Sequence, residues 1–248
     1  MTDFSKAQPG HLYIVGVGPG AEDLLTVRAI NILSTVDVII APRSSKSSES
    51  LAIRVVRPYL RGQELVEHVY PMERDSLQTA RCWAQMADLA VERLAQGQSV
   101  AHITIGDPLI YSTCAYLLEQ ISGRLPADKI HVVSGISALQ AASAVLGESL
   151  LTQNDRLTLL PADDLAAVES ALGSCETLVI YKIGERAEAV VEMLRLHGLA
   201  RNARLVCYAE QEREQVFSNL DDLHGTRLGY MSTMIVHVGR KSWSSAHA

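Results

Sequence analysis

The sequence predicts an α/β protein of two domains: a first domain with a largely parallel sheet, a second with a mixed sheet, and an interdomain cleft. Short runs of Val, Ile and Leu alternate with longer segments that carry apolar residues at helical spacing. Aromatic residues make up only 5% of the 248 residues, so aliphatic side chains must fill the core. Because the alternation changes in the second half, we place the domains at residues 1–133 and 134–248.

In the first domain, strand and helix patterns alternate along the chain. Strands are expected at residues 11–17, 36–40, 64–70, 99–105 and 129–134, and helices at 24–35, 49–59, 75–96 and 111–121. Thr26 is in place to cap the first helix, and a Ser-rich loop over residues 41–48 follows the second strand. Gly106 and Pro108 end the fourth strand, because glycine permits a left-handed backbone and proline fixes its own φ.

The second domain shows a different order of elements. Strands are expected at residues 157–160, 177–181, 204–209 and 233–238, and helices at 165–172 and 186–197. Residues 205–209 and 214–218 are close enough in the chain to form a hairpin. An antiparallel hairpin beside crossover connections predicts a mixed sheet.

Composition excludes several classes of protein. The chain has 22 basic and 28 acidic residues, a net charge of −6, which argues against a surface for nucleic acid. Its four cysteines are widely spaced and predict neither a zinc site nor a disulfide framework. The first ten residues lack the apolar core of a signal peptide, and no apolar run approaches about 18 residues. We therefore expect a cytoplasmic protein with no membrane partner and no metal.

The Gly-rich turn after the first strand also permits a dinucleotide-binding interpretation. Three details oppose it: Ala21 stands where the third glycine belongs, Pro19 lacks an N–H, and Asp37 begins the second strand rather than following it. No metalloprotease or Ser-hydrolase motif is present. His102 lies within an apolar strand, where we expect a satisfied core residue rather than a ligand or base.

The turn at residues 106–111 is the best candidate for a binding loop, because crevices at the carboxyl ends of parallel strands bind ligands. Glycine and proline alone would favour an ordinary connection between a strand and a helix. Three motifs together favour the binding interpretation: Val15-Gly16-Val17-Gly18-Pro19-Gly20 with Leu24-Leu25-Thr26, Gly106-Asp107-Pro108-Leu109-Ile110-Tyr111, and Val133-Ser134-Gly135-Ile136-Ser137-Ala138.

In order and spacing these motifs resemble those of the tetrapyrrole methylases, the class III S-adenosylmethionine-dependent methyltransferases, over nearly the whole chain. Further similarity to the precorrin-2 C20-methyltransferase branch lies in Tyr111-Ser112-Thr113, Tyr70-Pro71-Met72 and the Ser-rich loop. The resemblance implies methylation of precorrin-2 or cobalt-factor II at C20 in cobalamin biosynthesis, giving precorrin-3A or cobalt-factor III. It also implies a homodimer. Alternatives are methylation at another tetrapyrrole position, an NAD-binding oxidoreductase, and a tetrapyrrole carrier without activity.

The resemblance also implies a set of cofactor contacts, made largely by main-chain groups in the cleft. By position these are Pro19, Ile105, Gly106, Asp107, Ile110, Ser137, Ala138, Lys182 and Ala209, with Thr233 and Met234 lining the same pocket. Two residues depart from the family pattern. Ser134 replaces a frequent proline, and Lys182 stands where relatives often have an apolar residue, which leaves the contact at residue 182 open.

The implied substrate carries many carboxylates, so basic side chains near the cleft are candidates to bind it. Arg43, Lys46 and Arg74 are those candidates, and each is equally consistent with a solvated loop charge. Tyr111 is expected either to contact substrate or to pack beneath the loop, and packing is the stronger expectation. Asp107 is a candidate acceptor for the C20 proton, although a role in positioning the cofactor is the stronger expectation.

Overall fold

The computed structural model describes residues 4–45, 48–70, 76–223, 226 and 228–239, with only the backbone for residues 70 and 76–78. The described chain divides into two compact units, residues 1–137 and 138–248. The first unit therefore extends four residues beyond the predicted boundary, so that it includes Ser137. Within the described residues, no helix combines the length and apolar character that a membrane crossing requires.

The first unit contains a five-stranded parallel sheet in the order β3-β2-β4-β1-β5. Its strands are β1 (Leu12–Gly16), β2 (Val38–Ser44), β3 (Glu64–Tyr70), β4 (Val100–Thr104) and β5 (Ile130–Val133). Its helices are α1 (Val27–Leu33), α2 (Leu51–Val56), α3 (Ser76–Ala95) and α4 (Cys114–Ile121). One hydrophobic cluster joins the sheet to α1 and α2, and a second joins it to α3 and α4. The strands are therefore covered on both faces, as the near-continuous apolar runs predict.

The second unit contains a mixed sheet in the order β6-β7-β10-β8-β9. Its strands are β6 (Leu157–Pro161), β7 (Thr177–Tyr181), β8 (Ala203–Cys207), β9 (Gln215–Phe217) and β10 (Ser232–His237). Its helices are α5 (Ala138–Leu146), α6 (Leu165–Ala171) and α7 (Ala187–Leu196). β6 and β7 are parallel and the other pairs antiparallel, so the predicted hairpin of β8 and β9 and the mixed sheet are confirmed.

Two boundaries differ from the sequence prediction for clear physical reasons. The segment Ala41 to Ser44, predicted as loop, continues β2 by pairing with β3. Pro42 is tolerated there because the pairing of β2 with β4 ends at Ile40, so its missing N–H interrupts no ladder on that side. Helix α4 begins at Cys114 rather than Tyr111, because Tyr111 has a left-handed backbone with φ +49°.

Candidate functional site

Three loops leave the carboxyl ends of β1, β4 and β5, which are neighbours in the first sheet. We call them loop 1 (residues 16–20), loop 2 (residues 105–111) and loop 3 (residues 134–137). Because the three strands are parallel and adjacent, the loops that follow them meet at one edge of the sheet. The three sequence motifs are therefore brought together by the strand order of the first unit.

The main chains of the three loops touch at their glycines. A Cβ on Gly16 would lie 2.5 Å from the carbonyl oxygen of Gly106 and 2.7 Å from the amide nitrogen of Gly135. A Cβ on Gly135 would overlap the same carbonyl oxygen and the backbone of Gly16. These neighbours are backbone atoms that have no rotamer by which to move away. Residues 16 and 135 must therefore be glycine for the loops to approach this closely.

Loops 1 and 2 are joined by a two-residue antiparallel bridge. The N–H of Gly106 donates to the carbonyl oxygen of Gly18 at 2.7 Å, and the N–H of Gly18 donates in return at 3.4 Å. Both glycines are left-handed, with φ of +75° at Gly18 and +77° at Gly106. Only glycine adopts this conformation at little cost. Pro19 follows directly and is buried.

The carboxylate of Asp107 ties loop 2 to loop 3. Its Oδ1 accepts the N–H of Leu109 at 2.9 Å, a turn within its own loop, and its Oδ2 accepts the N–H of Gly135 at 3.1 Å. Both oxygens thus already accept main-chain hydrogen bonds. The Asp107 carboxylate therefore helps to fix the geometry of loops 2 and 3.

The hydroxyl of Ser112 holds the far end of loop 2. It lies 3.2 Å from the hydroxyl of Thr104, the last residue of β4, and accepts the N–H of Cys114 at 3.1 Å. The strand that enters loop 2 and the helix that leaves it are therefore linked directly. Loop 2 is fixed at both ends by side chains and in the middle by Asp107.

The geometry at Gly106 fits a ligand that is held by main-chain groups. Apart from Gly106 and its two chain neighbours, no heavy atom of the described residues lies within 4 Å of the position that a Cβ on Gly106 would occupy. Its Cα therefore faces open space, although the peptide groups on either side are fixed. Backbone N–H and C=O groups beside half-buried Ile105 and Ile110 suit the adenine and amino-acid ends of S-adenosylmethionine.

The residues predicted for the cofactor in the second unit also lie at one edge of its sheet. Thr233, near the start of β10, is paired with Tyr181 at the end of β7 and with Val206 near the end of β8. Lys182 directly follows β7, and Ala209 lies two residues beyond β8. Met234 is fully buried in the hydrophobic cluster of this unit, so only its main chain is a candidate contact.

Helix α5, which begins at Ala138, starts at this same edge. The N–H of Leu139 donates to the hydroxyl of Tyr181 at 2.7 Å. Sequence reasoning missed Tyr181, because a tyrosine at the end of an apolar strand is typical of a core residue. Its contact with α5 depends on the tertiary fold, for which the local sequence carries no pattern.

The residues predicted to bind the substrate lie in different surroundings. Arg43 lies on β2, where its Nε is 2.9 Å from Oε2 of Glu67 on β3. Tyr111 has 46% of its surface exposed, so its side chain is partly in solvent and partly covered. Lys46 and Arg74 lie outside the described residues. Arg43 is therefore a basic side chain whose orientation is set by a carboxylate on the neighbouring strand.

His102 is a fully buried titratable group of the first sheet. Its Nδ1 lies 3.4 Å from the sulfur of Cys114, and its Nε2 has no hydrogen-bond partner among the described residues. Burial, with a smaller contribution from the charge of His68, lowers the pKa of His102 to about 4, and burial raises the pKa of Cys114 to about 11. His102 is thus a neutral core residue near neutral pH, satisfied at one nitrogen only.

The sequence is also similar to those of known proteins. Residues 11–224 match the family described as Tetrapyrrole (Corrin/Porphyrin) Methylases. The chain is 31% identical to the cobalt-precorrin-2 C(20)-methyltransferase of Salmonella typhimurium, over 96% of this chain and 99% of the relative. It is 34% identical to the "probable cobalt-precorrin-2 C(20)-methyltransferase" of Methanocaldococcus jannaschii, over 91% of this chain and 95% of the relative.

A solved structure shows the same fold. It is the uroporphyrin-III C-methyl transferase of Thermus thermophilus complexed with S-adenyl homocysteine, with a TM-score of 0.67 at 19% identity. The similarity covers 91% of this chain and 96% of that one.

Proposed function

Since the chain belongs to the tetrapyrrole methylase family, we propose that it transfers a methyl group from S-adenosylmethionine to C20 of a precorrin-2 ring in cobalamin biosynthesis. The observation that carries the proposal is the main-chain contact of loops 1, 2 and 3, which leaves open space at Gly106. The two curated relatives described above are both named for this reaction on the cobalt-containing ring. We therefore propose cobalt-precorrin-2, the cobalt-factor II side of the pathway, as the substrate.

The residues of this chain would act by positioning. When bound, S-adenosylmethionine supplies a methyl group that its sulfonium makes electrophilic, and a tetrapyrrole meso carbon is an electron-rich acceptor. An activated nucleophilic side chain is therefore unnecessary, and catalysis rests on proximity and orientation. We assign the cofactor to main-chain groups of Pro19, Gly106 and Ser137, with Ile105 and Ile110 excluding water. In the second unit we assign it to Ala138, Lys182, Ala209, Thr233 and Met234.

Asp107 in this proposal orients loops 2 and 3 and is not the base. Its two oxygens already accept the N–H groups of Leu109 and Gly135, so taking up a proton from C20 would neutralise the carboxylate and weaken both hydrogen bonds. Water is then the acceptor of the C20 proton.

The carboxylates of the ring require cationic partners, for which we propose Arg43 together with Lys46 and Arg74. Arg43 is preoriented by Glu67, and a guanidinium held in this way loses less conformational entropy when it binds a second carboxylate. Tyr111, the half-exposed last residue of loop 2, is the proposed contact for the face of the ring. Tetrapyrrole contacts are thus assigned to residues 1–133, a division of roles that remains a proposal.

The direct test is methyl transfer with labelled S-adenosylmethionine, using precorrin-2 and its cobalt form in parallel. Label in the cobalt form, with the new methyl at C20 by NMR, is the expected result. Label in the metal-free ring alone would reverse the substrate assignment, and a methyl at another carbon would reassign the position. Thermal stabilisation by NAD but not by S-adenosylhomocysteine would reject the methyltransferase itself.

The homodimer and the cytoplasmic location also remain proposals. Light scattering coupled to size-exclusion chromatography tests the first, with a mass of twice 27.0 kDa expected. Fractionation of the producing cells tests the second.

A further inference from the structure

The hydroxyl of Tyr181 connects two elements at the ligand edge of the second sheet. Tyr181 is the last residue of β7 and is only 8% exposed. Its hydroxyl accepts the N–H of Leu139, the second residue of α5, at 2.7 Å. The first N–H groups of a helix have no partner within the helix, so this bond satisfies a donor that would otherwise be unpaired.

Three of the residues assigned to the cofactor adjoin this one hydrogen bond. Ala138 directly precedes Leu139, Lys182 directly follows Tyr181, and Thr233 is the direct partner of Tyr181 in the ladder between β7 and β10. Lys182 is held in a left-handed conformation with φ +57°, which turns the chain sharply after Tyr181. A shift of Tyr181 or of the first turn of α5 would therefore change the spacing between these three residues.

We propose that Tyr181 is a positioning residue for S-adenosylmethionine, which fixes the first turn of α5 relative to the ends of β7 and β10. The inference rests on the proposed function, because its ligand is the cofactor of that reaction. Tyr181 itself needs no contact with the ligand. Its hydroxyl sets the position of the main-chain groups at Ala138 and Lys182, and its buried ring keeps that hydroxyl in place.

The test is Tyr181→Phe, which keeps the ring and removes the hydroxyl that accepts the Leu139 N–H. We expect the dissociation constant for S-adenosylhomocysteine and the KM for S-adenosylmethionine to rise about tenfold, as for loss of one buried hydrogen bond. Because the reacting atoms are untouched, kcat at saturating concentrations should stay within about twofold. A rise in KM without a fall in kcat is a result that a purely structural role of Tyr181 would not produce.

Tyr13→Phe is the matched control. Tyr13 is 1% exposed, and its hydroxyl accepts the N–H of Gln8 at 2.9 Å near the amino end of β1, the end opposite loop 1. Both variants lose one bond from a main-chain N–H to a buried tyrosine hydroxyl. Thermal unfolding without ligand should therefore fall in both, whereas affinity for S-adenosylhomocysteine should fall only in Tyr181→Phe.

The outcomes separate this inference from the proposed function. Equal affinity of Tyr181→Phe and wild type, or a fall in kcat with unchanged affinity, overturns the inference alone. If the wild type does not bind S-adenosylhomocysteine, the proposed function fails and the inference fails with it. Should Tyr181→Phe not fold, 3-fluorotyrosine at residue 181 keeps the hydroxyl as a weaker acceptor. An intermediate loss of affinity then supports the inference, whereas unchanged affinity overturns it.

Discussion

Replacing Asp107 by asparagine separates a positioning role from a role as general base. Asparagine keeps one carbonyl oxygen but presents an NH2 group where the second carboxylate oxygen accepted a hydrogen bond. If that oxygen stays on the N–H of Leu109, the N–H of Gly135 loses its acceptor. A hydrogen bond to a charged group contributes about 1.5–3 kcal/mol, so Asp107→Asn should lower the free energy of unfolding by about that amount. The corresponding fall in Tm is about 3–12 °C for a chain of this size.

The kinetic consequence distinguishes the two roles more sharply than stability does. As a positioning residue, Asp107 affects the shape of loops 2 and 3, so its loss should weaken binding of S-adenosylhomocysteine about tenfold, equivalent to about 1.4 kcal/mol. At saturation of both substrates, kcat should stay within about threefold. General base catalysis typically contributes about 10²–10⁴ in rate, so removing a base would lower kcat by at least about a hundredfold. Calorimetry and steady-state kinetics measure the two quantities separately.

Two further variants complete this experiment. Asp37→Asn is the matched control, because the Asp37 carboxylate accepts the N–H and the hydroxyl of Ser99, both at 2.7 Å, just before β2 begins. Both bonds end on Oδ2, which the amide oxygen of asparagine can replace, so Asp37→Asn should cost less stability than Asp107→Asn and leave cofactor affinity unchanged. Asp107→Glu keeps a carboxylate but moves it by one methylene, so it should not restore binding. A large fall in kcat in Asp107→Asn that Asp107→Glu restores, with cofactor affinity unchanged in both, would refute the positioning role.

Four other variants test the rest of the site and the core. Gly16→Ala should lower the free energy of unfolding, measured by urea titration, by about 1–3 kcal/mol or more, because the Cβ of the new alanine meets fixed backbone atoms. Gly106→Ala should cost only about 1–2 kcal/mol of backbone strain, yet weaken binding of S-adenosylhomocysteine by calorimetry, because its Cβ enters the open space. Arg43→Gln should raise the KM for the tetrapyrrole about tenfold and leave cofactor affinity unchanged. The pKa of His102 is 6.5 in the unfolded chain and about 4 in the folded protein. As the pH falls from 6.5 to 4, the unfolded chain therefore takes up a proton before the folded protein does, and the free energy of unfolding decreases. This loss is about 3 kcal/mol, and urea titrations of His102→Leu across that range should show a pH dependence smaller by this amount.

The sequence predicts most of the elements and the three loops because both depend on local properties. Apolar periodicity locates the strands, and glycine with proline marks their ends, so the local sequence alone predicts the turn at Gly106. The left-handed backbone at Tyr111 was not predicted, because tyrosine rarely adopts it and the surrounding fold imposes it. The pairing of Arg43 with Glu67 also depends on the alignment of two strands rather than on local pattern.

The other features that the sequence does not predict are contacts between residues that are distant in the chain. Tyr181 and Leu139 meet only because the second sheet places the end of β7 beside the start of α5. Composition and spacing describe each residue separately, so neither indicates that contact.

The direct contact between Gly16 and Gly135 also bears on the order in which the protein folds. Gly16 ends the first strand of the chain, whereas Gly135 follows the last strand of the first unit. The binding edge therefore cannot close during synthesis until β5 has left the ribosome and paired with β1, since loop 3 is joined to that strand. Shorter amino-terminal fragments would retain two of the three motifs, yet the turn at Gly106 would lack the partner that Asp107 engages.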